Sequence, residues 1–228
     1  MSGVVVVAGA TGGAGASTFA ALLARTWARG DRADPVVLLD LGAGAGLEVT
    51  LGIERRPGAR WPAFDGLRGY PEPDELLGAL PRWRGVDVLS AERTGAMPTG
   101  EVVTAVLGGL RAGRAGVVVD LAAGRMDSDA AHAATCGAEV VLLAGQDVRG
   151  VAGLLAARER HPGPARLVLR RRRSTVAPLE AAHVADLPLL GLLPTDRRIA
   201  DAADRGLGPE PGRRLRRAVL RIAGRLGP

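Results

Sequence analysis

Apolar residues are distributed along the chain in two ways. Short, near-continuous runs of valine, leucine and alanine fill 3–8, 35–41, 86–90, 115–121, 138–144, 165–170 and 189–193. Runs of this length with little polar alternation suit strands covered on both faces. Helical stretches lie between them, at 17–29, 73–80, 99–111, 127–136, 147–160, 176–185 and 196–205. Thr99, Thr175 and Thr195 stand where N-caps belong, and Gly206 suits a C-terminal stop. The alternation predicts an α/β fold, a doubly wound, mostly parallel sheet of about seven strands with helices on both faces. No internal repeat interrupts it. The stretch 52–72 is too rich in glycine and proline for regular structure, and reads either as a loop beside a site or as surface packing.

Composition narrows the class. A chain of 228 residues can bury one sizeable core. Its 47% hydrophobic and 24% charged content is that of a soluble globular protein. No apolar run reaches the roughly 18–20 residues needed to span a bilayer, and the start, MSGVVVV, lacks the basic segment of a secretory signal. A cytoplasmic protein is expected. The single cysteine, Cys136, excludes an internal disulfide and reads as a small buried apolar residue. His132, His161 and His183 show no metal-ligand spacing.

All 30 basic residues are arginine, and lysine is absent. Their placement is uneven. Residues 1–157 carry 14 arginines and 17 acids, whereas residues 158–228 carry 16 arginines and 7 acids. The C-terminal third is therefore basic and suited to an anionic surface.

The most informative stretch is VVVVAGATGGAGASTFAALLA, residues 4–24. A valine strand leads into a glycine turn, and a helix follows. Such a turn aims backbone N–H groups and the positive end of the helix at one spot, which suits phosphate. Two ligand classes use it. Gly9-x-x-Gly12-x-x-Gly15 resembles a dinucleotide-binding turn of the reductase kind; the alternative is a mononucleotide loop. Ser17 and Thr18 open the helix, where a hydroxyl reaches Mg²⁺ or a phosphate oxygen. Asp40 ends the run PVVLLD and Asp120 ends GVVVD. Two carboxylates at the C-terminal ends of parallel strands face one crevice, as a magnesium–nucleotide site requires. The commonest reductase pair, Tyr-x-x-x-Lys, cannot occur in a chain without lysine; a degenerate NAD(P)-binding reductase-like protein remains an alternative.

The strings TGGAGAST, VVLLDLGAGAGLEVTLG, GVVVDLA and LPLLGLLPTDRRIADAADRG, with the arginine-rich end, resemble the MinD/ParA superfamily of P-loop proteins in order and over nearly the whole length. More narrowly the chain is similar to the actinobacterial CpaE/TadZ-type branch, proteins of pilus-assembly, secretion and septum-site-determining neighbourhoods. Many of these carry an N-terminal receiver-like domain; the sequence given starts at the ATPase-like part. The resemblance implies a nucleotide-binding domain over 1–210 followed by a basic amphipathic helix over 211–228. It implies ATP or ADP with Mg²⁺ as cofactor, a homodimer, and a partner in pilus, secretion or division machinery.

Carried over residue by residue, the family's loop K-G-G-x-G-K-[ST] is here Thr11-Gly12-Gly13-Ala14-Gly15-Ala16-Ser17. Thr11 replaces the lysine that reaches a partner's nucleotide in relatives. Ala16 replaces the lysine that meets the β- and γ-phosphates. Ser17 keeps the magnesium-ligand position and Thr18 the next hydroxyl. Asp40 and Asp120 keep the acidic positions near the metal, but Gly42 stands where a second carboxylate positions the attacking water, and Ala122 replaces a usual proline. Arg170 occupies the position of an asparagine that reads adenine.

These losses differ in weight. One charge-assisted hydrogen bond contributes about 1.5–3 kcal/mol, so the missing lysine at Ala16 weakens binding about 10- to 100-fold while backbone amides still hold phosphate. Hydrolysis suffers more, since losing a single transition-state donor costs about 10²–10³ in rate. The expectation is weak nucleotide binding with impaired or absent turnover, in a positioning or scaffold factor for an envelope-associated machine. The alternative is an active ATPase in which an arginine, Arg149 or Arg170, replaces lysine.

Two basic features remain. Arg170–Arg173 is a run of four, read as a solvated loop or as a contact for acidic partners; with few aromatics nearby, nucleic acid is disfavoured. In the closing helix, Leu215, Ala218, Val219, Ile222 and Leu226 share one face, and Arg214, Arg217, Arg221 and Arg225 another. That face packs on the sheet or rests on an anionic membrane at the inner side of the cell envelope, as MinD-type ends do.

Overall fold

In a computed structural model the described residues are 3–30, 34–42, 46–91, 97–174 and 176–227. Strands β1 (Val4–Gly9), β2 (Val36–Leu41), β3 (Arg82–Trp83), β4 (Val86–Leu89), β5 (Gly116–Leu121), β6 (Glu139–Gly145), β7 (Arg166–Arg170) and β8 (Leu189–Leu193) form one sheet. Its order is β3-β4-β2-β5-β1-β6-β7-β8. Every pairing is parallel except β3 with β4. The helices are α1 (Ala16–Trp27), α2 (Gly46–Leu51), α3 (Pro73–Ala79), α4 (Gly100–Ala112), α5 (Asp129–Thr135), α6 (Val148–Arg160), α7 (Pro178–Val184), α8 (Arg197–Ala203) and α9 (Arg213–Ala223).

The doubly wound sheet expected from the sequence is present, and the seven expected strands match within a residue at either end. The eighth, β3, is two residues long and too short to leave a pattern. The six-residue α2 and a 3-10 turn at Trp61–Phe64 were not expected either.

Valine alternation in the central strands explains the two layers. Val4 and Val6 turn to a core shared with Val103, Leu107 and Trp61, while Val5 and Val7 turn to one shared with Phe19, Leu23 and Val219. Side chains of a strand alternate between faces, so a run apolar at every position needs cover on both.

Helix α9 supplies part of that cover. Leu215, Ala218, Val219, Ile222 and Leu226 are all buried in the same core as α1. Of the two sites considered for this face, the sheet side holds it, and residues 211–227 share a core with the rest of the chain. The apolar face is not free to enter a membrane in this arrangement. Arg225 also folds back, its Nη1 donating to the Leu190 carbonyl at 2.8 Å.

Two local expectations change. Thr99 caps α4, accepting from Val102 N–H, but the cap of α8 is Asp196, and Thr195 instead donates to the Arg171 carbonyl at 2.9 Å. Thr175 lies outside the described residues. Cys136, expected inside, is exposed just past the end of α5. Of the two readings of 52–72, the structure favours the loop beside the site: Trp61 is fully buried and its Nε1–H donates to the Asp40 carbonyl at 2.7 Å.

Candidate functional site

The chain leaves β1 at Gly9, turns through 10–15 and enters α1 at Ala16. Gly13 and Gly15 take φ of 72° and 98°, a left-handed region that glycine enters without a steric cost. No side chain caps α1 at Gly15, so its first amides remain available to a ligand. The outer face of the turn is open, because a Cβ at Gly12 or Gly13 would meet nothing within 4 Å. Ala14 is buried. Thr11 is turned toward α6, where a Cβ on Gly153 would collide with its methyl group. That glycine is what lets the loop settle on the helix.

Beside the loop stand the two acids. Asp40 and Asp120 are direct register partners on β2 and β5, and both are buried. Burial pushes the Asp40 carboxyl up to about 7, with the neighbouring Asp120 charge adding to it and the Gly42 N–H opposing it. Burial raises Asp120 to about 6 against a hydrogen bond from Ser17. Asp40 Oδ1 accepts from Gly42 N–H at 2.7 Å. Asp40 Oδ2 and Asp120 Oδ1 are buried and, among the described residues, have no hydrogen-bond partner. Asp120 faces Asp40 across the strands and takes a hydrogen bond from Ser17, so two carboxylates and a hydroxyl form a donor set of the all-oxygen kind that Mg²⁺ takes. Ser17, Asp40 and Asp120 thus converge, and the chemistry of the three fits a magnesium ion with its water shell.

Arg170 reaches the same loop from the end of β7. Its Nη1 donates to the Gly13 carbonyl at 3.2 Å, and the guanidinium lies 3.6 Å from where a Cβ on Gly15 would be. Burial and then the charge of Arg172 lower its pKa. The other arginine considered, Arg149, is exposed on α6. Next to Arg170 a cleft opens between Gly15, Thr18, Pro194, Asp196 and Ile199. The run Arg170–Arg173 is therefore divided. Arg170 belongs to the loop, and Arg172 pairs with Asp147 at 3.1 Å.

Sequence reasoning missed a second buried group that supports the acids. Glu48 of α2 accepts from the Ser90 hydroxyl at 2.7 Å and pairs with the Arg60 Nε. Arg60 also donates to the Gly58 carbonyl at 2.8 Å and the Arg56 carbonyl at 3.0 Å. Together with Trp61 this network fixes 52–72 under the end of β2. A tryptophan inside a glycine- and proline-rich stretch was the one available signal.

Strand order separates the two ligand classes left open by the glycines. In a dinucleotide fold the second strand lies beside the first. Here β5 lies between β1 and β2, so Asp120 stands next to the loop strand and Asp40 one strand further. The reductase-like alternative is overturned by this topology.

No protein-family model matches the chain. An uncharacterized protein of Mycobacterium tuberculosis, found in two strains, is 37% identical over 232 residues. The alignment takes in 97% of this chain and 62% of that relative, so the chain spans about three fifths of the length of the curated relatives it matches. Among solved structures, a ParA family ATPase from Chlorobium tepidum superposes with a TM-score of 0.77 at 16% identity, over 97% of both chains. The septum site-determining protein MinD of Pyrococcus horikoshii, complexed with Mg-ADP, gives a TM-score of 0.65 at 20% identity, over 99% of this chain and 96% of that one. The chain has the α/β fold of the ParA and MinD ATPases, with an eight-stranded, mostly parallel sheet.

Proposed function

We propose that this protein is a positioning or scaffold factor of the MinD/ParA type, of the CpaE/TadZ kind, serving an envelope-associated machine of pilus assembly, secretion or septum placement. It binds ATP or ADP with Mg²⁺ weakly, and turns ATP over very slowly or not at all. It works as a homodimer on the cytoplasmic side of the membrane.

The observation that carries this reading is the company kept by the loop. Open amides at Gly12 and Gly13 and two orphaned buried carboxylate oxygens remain, while Ala16 and Thr11 stand at the lysine positions and Gly42 at a carboxylate position. Backbone amides of 12–17 would hold phosphate, and Ser17, Asp40 and Asp120 would hold the metal and its waters. A bound Mg²⁺ supplies positive charge to the phosphate oxygens.

A second reading is favoured by Arg170, whose guanidinium already rests on the loop. In it Arg170 supplies the missing cation and the protein is a working ATPase. One experiment separates the two. Calorimetric titration with ATP–Mg²⁺ establishes binding, and phosphate release measured on clean protein establishes turnover. Steady-state release below about 0.01 s⁻¹, far under common turnover numbers, supports the scaffold. Faster release that disappears in Arg170→Ala supports the ATPase. Absence of any binding overturns both.

A further inference from the structure

Helix α9 and the end of the sheet enclose a second hollow, outside the loop site. It is a groove of about 640 Å³ lined by Arg171, Arg214, Arg217, Arg221, Leu192 and Leu220 among others. No acidic residue lines it. Among the described residues, none of the four guanidinium groups makes an ion pair or a side-chain hydrogen bond within the chain. Leu220, on the same helix, is 52% exposed, although every other apolar residue of α9 is buried.

The spacing is regular. Arg214, Arg217 and Arg221 lie three and four residues apart, so they form one stripe along the helix, with the (i, i+3) and (i, i+4) geometry of neighbours. About 10 Å separates the first from the last at 1.5 Å per residue. Four like charges around one groove, three on α9 and Arg171 just past β7, repel one another, an arrangement that is relieved when counter-charge is brought to it.

We infer that this groove docks an acidic polypeptide segment, in which carboxylates recur at three- and four-residue spacing beside one apolar residue that covers Leu220. Concavity favours this occupant. A planar anionic bilayer touches only the rim of a groove, and the apolar face of α9 that would enter it is already in the core. No aromatic residue among those lining the groove offers base stacking to nucleic acid. Arginine pairs with carboxylates in a bidentate way, so a stripe of three selects register as well as charge. The inference is independent of whether nucleotide is hydrolysed.

The test uses the full chain and a fluorescein-labelled helical peptide with glutamates at i, i+3 and i+7 and a flanking leucine. The comparison peptide has the same composition in scrambled order. Anisotropy at low salt is expected to show the ordered peptide binding at least 10-fold tighter than the scrambled one. Affinity should fall as salt rises, and drop at least 10-fold in Arg217→Glu/Arg221→Glu. The double variant Arg68→Glu/Arg160→Glu, with the same charge change at exposed sites elsewhere, is expected to bind like the wild type. Equal loss in both variants, or equal binding of both peptides, overturns the inference. So does tighter binding to vesicles of anionic phospholipid or to duplex DNA than to the ordered peptide, measured in parallel.

Discussion

Asp40 and Asp120 face one another across adjacent parallel strands, and among the described residues each keeps one buried carboxylate oxygen without a hydrogen-bond partner. Two like charges in a dry place are costly, so the pair makes the stability of the protein depend on pH. Both carboxyls titrate above the ordinary value of about 3.9, Asp40 at about 7 and Asp120 at about 6. The folded chain therefore binds more protons than the unfolded chain between about pH 4 and 7. Stability falls as pH rises through that window, by a few kcal/mol, and levels off above it. Urea unfolding in metal-free buffer from pH 5 to 8 measures this. Asp40→Asn is expected to flatten the slope and to raise stability at pH 7.5; stability that climbs with pH in the wild type contradicts the assignment.

Restoring the lysine should restore affinity. Ala16 opens α1 at the foot of the loop, and Ala16→Lys is expected to tighten ATP–Mg²⁺ binding about 10- to 100-fold, the equivalent of one charge-assisted hydrogen bond. Calorimetric titration reads it. Phosphate release should stay low, because Gly42 still lacks a carboxylate.

Adding that carboxylate is not free of strain. A Cβ at Gly42 would stand 2.7 Å from Asp40 Oδ1. Gly42→Asp is expected to lower stability by about 1–3 kcal/mol through crowding, with a further loss from a third acid beside the pair. A thermal melt of the variant at pH 5 and pH 8 separates the two causes, since only the charge contribution is larger at pH 8.

The ion pair beneath the acids carries a larger penalty when broken. Glu48 and Arg60 are 5% and 8% exposed. Arg60→Met leaves Glu48 buried and unpaired, which costs about 3–5 kcal/mol. The double change Glu48→Gln/Arg60→Met should recover much of it. Equilibrium unfolding in urea compares the three.

On α9, neighbouring apolar residues should behave differently. Ile222→Ala, in the core, is expected to cost about 2–5 kcal/mol. Leu220→Ala, half exposed, should change stability by no more than about 0.5 kcal/mol. Similar losses at both positions would mean that α9 lies differently on the sheet.

The valine runs and the glycine turn made the sheet and loop legible, because continuous apolar strands and a glycine-rich strand–helix junction leave local traces. Asp40, Asp120 and Ser17 could be grouped in advance for the same reason, since each sits at the end or start of an element that the pattern locates. Arg170 was placed at the site only by resemblance; its reach to Gly13 is a contact across 157 positions, with no periodicity to announce it. Glu48, Arg60 and Ser90 were invisible because the partners of a buried charge are set by tertiary packing. The burial of α9 was half legible. Its apolar face could be read, but an amphipathic helix looks the same whether a sheet or a lipid covers it.

Helix α1 is a single rod of 12 residues, about 18 Å long at 1.5 Å per residue. It springs from the glycine loop and shares a core with α9 along its flank. On the proposed reading, a ligand in the loop bears on α1 directly, and one in the arginine-lined groove bears on it through α9. To the extent that loading one end shifts that rod, thermodynamic reciprocity requires the other end to push back with the same free energy. On the proposed reading, α1 is the element through which the groove would sense whether the cradle is full.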